Sequence, residues 1–186
     1  MSLEREEDAR LKPAPSSGAV LLVAYGNASR RDDGVAFRIL WRLRARLGLA
    51  PDWEEDVEDV VEGRRVRMIA LHQLAPELAE TLAAYDQVVF LDAHVSAVGW
   101  EAVQWAEIKP IYEPGMVGHH LKPTVVLALC HTLYGAAPEG HTLSVEGRDF
   151  DFGEELSSQT SSWADVAVEC LLGFLGTSDG SRAPRT

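Results

Sequence analysis

Cysteine is nearly absent from this chain: Cys130 and Cys170 are the only two, and each sits inside an apolar helical pattern. That scarcity excludes a disulfide framework and a thiolate metal site, and both residues read as small buried hydrophobes of a reducing compartment. No apolar run is long enough to span a bilayer, which argues against membrane insertion. The opening residues Met1-Ser2-Leu3-Glu4-Arg5-Glu6-Glu7-Asp8 lack the basic start and apolar middle of a secretory signal, so the expected compartment is the cytoplasm. Positive charge is also in short supply: 29 acids against 17 bases give a formal net charge of −12. A surface that acidic repels phosphate backbones and excludes nucleic acid as a partner held by charge alone.

Several catalytic signatures are missing too. There is no His-Glu-x-x-His zinc helix, no Gly-x-Ser-x-Gly elbow, and no cysteine at a loop–helix joint. Gly26 stands alone until Gly34, so the three-glycine fingerprint that admits a pyrophosphate is absent. Two acids at the following helix start would repel phosphate further.

What remains is a chain of 186 residues, 46% hydrophobic, enough for one domain with a substantial core. Residues 1–17 are charged and then rich in Pro and Ser, and 177–186 are similar in character; both are expected to be disordered tails around a domain at 18–176. The body alternates strand and helix patterns, predicting an α/β fold with a largely parallel sheet covered on both faces. Strands are expected at Val20–Ala24, Val66–Leu71, Gln87–Leu91, Ala102–Ile108 (near an edge) and Thr142–Val145. Helices are expected after Gly34, over 77–84, from Pro123 to Leu133, and over Ser161–Leu175. The acidic stretch 51–62 reads as a solvated excursion.

The joint at Val20–Gly34 is the most informative feature. An apolar run breaks at Gly26-Asn27 and reaches Asp32-Asp33-Gly34 at the start of a helix. A second apolar run, Val88-Val89-Phe90-Leu91, ends in Asp92. In open α/β sheets ligands bind beyond the carboxyl ends of the strands, where these acids are expected to sit. His119 and His120, just before the helix at Pro123, could meet them there. Two carboxylates and one imidazole suit a borderline divalent metal, or a base with its orienter. Each also has a plain structural reading: Asp32 or Asp33 as a helix cap, Asp92 as a loop cap, Asn27 as a turn residue, the histidines as exposed loop. His72 follows a strand and could reach the same rim in a supporting or substrate-facing role.

Tyr25-Gly26-Asn27 with Arg31-Asp32-Asp33-Gly34 resembles the opening motif of the hydrogenase maturation endopeptidases. Leu71-His72-Gln73-Leu74-Ala75-Pro76-Glu77-Leu78 is similar to a motif of one branch of that family. Phe90-Leu91-Asp92-Ala93, Gly118-His119-His120-Leu121-Lys122-Pro123, Leu133–Pro138 and Phe150–Ser157 resemble its later motifs, in the same order. Ala24 and Ala36 depart from the pattern, standing where glycines are common.

The resemblance implies a twisted, mainly parallel sheet of about five strands between helices. It also implies an endopeptidase that removes a C-terminal peptide from the nickel-loaded precursor of a nickel–iron hydrogenase large subunit. Asp33, Asp92 and His119 would be the metal-contacting residues, with Asp33 and Asp92 catalytic and Asn27, Asp32, His72 and His120 supporting. The nickel would come with the substrate, and no permanent cofactor is expected. The alternative is a non-catalytic metalloprotein-binding or chaperone module on the same scaffold.

Overall fold

The computed structural model describes residues 18–49, 56–97, 99–111 and 121–176. Both tails and the segment holding His119 and His120 lie outside those residues. Strand β1, Val20–Tyr25, is fully buried from Val20 to Ala24, as a continuous apolar run must be when both faces of its sheet are covered. A loop and a short 3-10 turn, Arg31–Gly34, lead into helix α1, Val35–Arg46. Strands β2 (Asp56–Val61) and β3 (Arg64–Leu71) follow, then α2 (Leu78–Leu82), β4 (Gln87–Val95) and β5 (Val103–Ile108). Helix α3 (Pro123–Tyr134), strand β6 (Glu139–Gly147) and helix α4 (Ser158–Leu175) complete the order.

The sheet runs β2-β3-β1-β4-β6-β5. Its four central strands are parallel, and β2 and β5 pair antiparallel at the two edges. Helices α1 and α4 cover one face, packing on Val20, Leu22, Val89, Leu91, Leu143 and Val145. Helices α2 and α3 cover the other, over Leu21, Val23, Val88 and Phe90. Full burial of each such side chain is worth about 1.5–3 kcal/mol. Ala24 and Ala36 are fully buried in the first cluster, so both methyl groups serve as core where glycines were common.

The α/β architecture matches the expectation, and the sheet has six strands rather than about five. The additional strand is β2, within the stretch read as a solvated excursion. Its residues alternate in exposure, with Asp56, Glu58 and Val60 outward and Val57, Asp59 and Val61 turned in. Arginines absorb its acids: Arg67 pairs with Asp56, Arg65 with Glu58, and the buried Arg44 of α1 with Asp59 at 2.7 Å. Charge matched across strands looks like a solvated run when the partners are unseen. The strand expected over Gln87–Leu91 continues to Val95, because β6 pairs with it as far as Gly147. Asp92 therefore lies within β4, not in a loop beyond it.

Candidate functional site

The site is built where β1 ends. Gly26 has φ of 141°, and a Cβ there would stand 2.4 Å from the backbone oxygen of Asp33, so only glycine lets the chain fold back this tightly. The backbone N–H of Gly26 donates to Leu71 O, and His72 Nδ1 donates to Gly26 O at 3.0 Å. His72, just past the end of β3, thus pins the loop from the neighbouring strand. Asn27 closes an Asx turn, its Oδ1 accepting from Ser29 N at 3.0 Å. Asn27 N in turn donates to Asp33 Oδ2 at 3.1 Å, which fixes that carboxylate over the strand end.

The adjacent acids Asp32 and Asp33 face different ways. Asp32 is fully buried, and its carboxylate accepts from Arg148 N (2.8 Å), Asp149 N (2.9 Å), Ser157 N (2.7 Å), Ser157 Oγ (2.8 Å) and Thr160 Oγ1 (3.0 Å). Burial pushes its proton affinity up, but the N–H groups of Arg148, Ser157 and Asp149 and the Ser157 hydroxyl outweigh it and hold the carboxyl below the usual range. Asp32 therefore faces inward rather than toward a substrate, and it clamps the 148–157 loop against the 3-10 turn. Backbone bonds from Arg31 N to Gly153 O and from Gly153 N to Ser29 O complete the clamp. Neither acid caps the turn or α1 with its side chain, so the capping reading of the pair does not hold.

Asp92 reaches the same edge from β4, the parallel neighbour of β1. Alternation along β4 sends Asp92 to the α2/α3 face with Val88 and Phe90, the face to which Tyr25 of β1 also belongs. The Tyr25 hydroxyl bonds to the Asp92 carboxylate, and Asp92 Oδ1 also accepts from Ala93 N at 2.8 Å. Burial is the largest influence on Asp92 and pushes its pKa up; the Tyr25 and Ala93 bonds oppose it, and the charge of Asp33 raises it further, to about 6. Tyr25 is raised well above the ordinary phenol range by burial first and then by the Asp92 charge and hydrogen bond, so it stays a neutral donor. Tyr25 is the member of this group that sequence reading missed. The signal for it was register, since a residue at the end of β1 faces the end of β4.

The structure thus brings Asn27, Asp33, Asp92, Tyr25 and His72 to one end of the sheet and buries Asp32 beneath it. His119 and His120 lie outside the described residues; the described chain resumes at Leu121, packed on the α2/α3 face. Among the described residues, no three His, Cys, Asp or Glu side chains gather closely enough to hold an ion. Asp33 and Asp92 form a like-charged pair in a partly dry setting, an arrangement that a cation between them would relieve.

The raised proton affinity has a consequence for stability. Asp92 favours its protonated form in the folded state, so its contribution to stability falls as pH rises from about 4, the unfolded carboxyl range, through about 6. Asp92→Asn is therefore expected to melt above the wild type at pH 8, with the gap closing at pH 4. Thermal melts of the metal-free protein across that range check the sign.

The fold is that of the hydrogenase maturation proteases of known structure. The likeness extends to the protease HycI of Thermococcus kodakarensis, with a TM-score of 0.56 and 20% identity over 86% of this chain and 93% of that one. The maturating endopeptidase HybD of Escherichia coli matches with a TM-score of 0.58 and 17% identity over 85% and 92% of the two chains. A further Escherichia coli endopeptidase, solved in solution, matches at 0.62 and 16% identity over 88% and 95%. At these identities the likeness is one of fold. No family model and no curated relative matches the sequence. Among the described residues no helix is long and apolar enough to cross a membrane.

Proposed function

We propose that the protein is an endopeptidase of nickel–iron hydrogenase maturation, acting on the large-subunit precursor after nickel is in place. The observation that carries this reading is the Asp33–Asp92 pair, with Asp92 raised to about 6 by burial and by its neighbour's charge. A buried carboxylate that feels the charge of a second one is stabilised by a divalent cation, and here the cation is the substrate's own. Carboxylate oxygens bind nickel only moderately, so they can sense it without drawing it from the thiolates that hold it. A precursor lacking nickel leaves the repulsion unrelieved and is refused on electrostatic grounds.

The chemistry is hydrolysis of one peptide bond. Water adds to the scissile carbonyl carbon, the C–N bond breaks, and a new carboxylate remains on the large subunit while the amine leaves with the C-terminal peptide. Asp33 and Asp92 contact the metal, and His119 belongs to the same proposed ligand set. Tyr25, Asn27 and His72 hold the two acids and their loop in place.

The test is to incubate the protein with its cognate large-subunit precursor, nickel-loaded in one arm and nickel-free in the other. Shortening confined to the loaded arm is expected. Binding of the loaded precursor with no shortening would assign the protein to the non-catalytic binding module instead.

A further inference from the structure

We infer that His72 is a further catalytic residue, whose Nε2 carries the proton that peptide hydrolysis moves from the attacking water to the departing amine. The inference rests on the proteolytic reading above and deepens it. Water loses that proton as its oxygen joins the carbonyl carbon, and the amine nitrogen gains it as the C–N bond breaks. On that reading Asp33 and Asp92 face the metal, and Asp32 is sealed beneath the site by five donors. A group with a free lone pair at the same edge has still to be found. His72 supplies one through a single hydrogen bond. Gly26 O can only accept, so the ring carries its proton on Nδ1, and the neutral ring keeps its lone pair on Nε2. The residue is exposed, and among the described residues Nε2 has no hydrogen-bond partner. When Nε2 takes up the proton, the carbonyl that orients the ring also steadies its charge.

Position ties the ring to the acids. Strands β3, β1 and β4 are consecutive neighbours in the sheet. Leu71 pairs with Tyr25, and Asp92 lies one step beyond the last β1–β4 pair, so His72, the Gly26 turn and Asp92 stand nearly level. Three adjacent strands span about 10 Å, a width that one peptide group and its water can bridge. Gly26 joins the parts: its oxygen takes the ring's N–H, and a Cβ on it would stand 4.0 Å from Asp33 Cγ. Leu71 and Leu74, on either side of His72, pack into the α2/α3 layer, the face to which Tyr25 and Asp92 belong. The other described histidines lack this combination. His94 Nδ1 is engaged with Ser144 Oγ at 3.0 Å and its Nε2 is buried. His131, in the last turn of α3, and His141, between the Trp105 and Phe174 rings near the start of β6, lie toward the opposite edge of the sheet.

The test separates the two ring nitrogens. His72→Asn keeps an N–H near the Nδ1 position to bond Gly26 O but has nothing in place of Nε2, and His72→Ala lacks both. Each full-length variant is mixed in excess with the nickel-loaded precursor, and single-turnover cleavage is followed across enzyme concentrations. Both are expected to cut about 10²–10⁴-fold more slowly than the wild type, with the half-saturating concentration within twofold of it. His131→Asn, at an exposed ring on the far edge, leaves the rate unchanged. Imidazole added to His72→Ala should raise its rate at least tenfold, a rescue that a merely positioning ring would not allow. A rate for His72→Asn within threefold of the wild type would overturn the proposal, because the N–H to Gly26 would then be the whole role. Half-saturation that weakens in step with the rate, or slowing that imidazole leaves in place, would overturn it as well. In each of these cases wild-type cleavage, and with it the protease reading, stands. A wild-type chain that never shortens the loaded precursor sinks both.

Discussion

Asp32→Ala is expected to lower the free energy of unfolding by about 3–5 kcal/mol, the range found when a buried charged network loses its central acceptor. Five donors converge on that carboxylate, three of them backbone N–H groups of the 148–157 loop, and the truncation leaves them without it. Asp33→Ala removes the acceptor of one N–H, that of Asn27, and is expected to change stability by within about 1 kcal/mol. Urea unfolding of the two variants side by side measures the contrast. Because the Asp32 carboxyl is held below its usual range, its stabilisation is present above the unfolded value of about 3.9 and is lost as pH falls through the folded one. The gap between wild type and Asp32→Asn should therefore hold from pH 5 to 8 and shrink only below about pH 4.

The second large effect falls on activity. Asp33→Asn and Asp92→Asn are each expected to slow precursor cleavage by about 10²–10⁴-fold, the range typical of an essential acid–base or charge-bearing group. The double variant should be little worse than either single one, because residues acting as a unit lose their joint contribution once. Single-turnover cleavage with excess enzyme gives the rates. Both variants remain folded on this account, and Asp92→Asn is the more thermostable of the two near pH 8. Loss of function without loss of fold separates these acids from Asp32.

Much of the fold was legible because burial writes itself into composition. Val20–Ala24 and Val88–Leu91 are continuous apolar runs, and they are the buried central strands β1 and β4. Pro123 and Gly135 mark the two ends of α3, the glycine closing it in a left-handed conformation at φ of 77°. The turn after β1 was legible for the same reason, whereas Asp92, expected just past its strand, lies within β4, which pairs with β6 as far as Val95. Strand β2 was not legible, because its acids are neutralised by Arg44, Arg65 and Arg67 from other elements. The division of labour between Asp32 and Asp33 was hidden as well. It is decided by donors more than a hundred residues downstream, at Arg148, Asp149, Ser157 and Thr160, and no local pattern at 32–33 reveals which acid they will claim. The Phe150–Ser157 motif, whose role the sequence left open, proves to be the segment that Asp32 anchors. Tyr25 needed the register of β1 against β4 before it could be paired with Asp92.

The most direct measurement is the intact mass of the nickel-loaded large-subunit precursor before and after incubation with this protein, beside the Asp33→Asn, Asp92→Asn double variant. The account expects one shortened large subunit and one complementary C-terminal peptide whose masses sum to the precursor plus a single water, with no change in the double-variant arm. An unaltered precursor mass in the wild-type arm, or equal shortening in both arms, would contradict it.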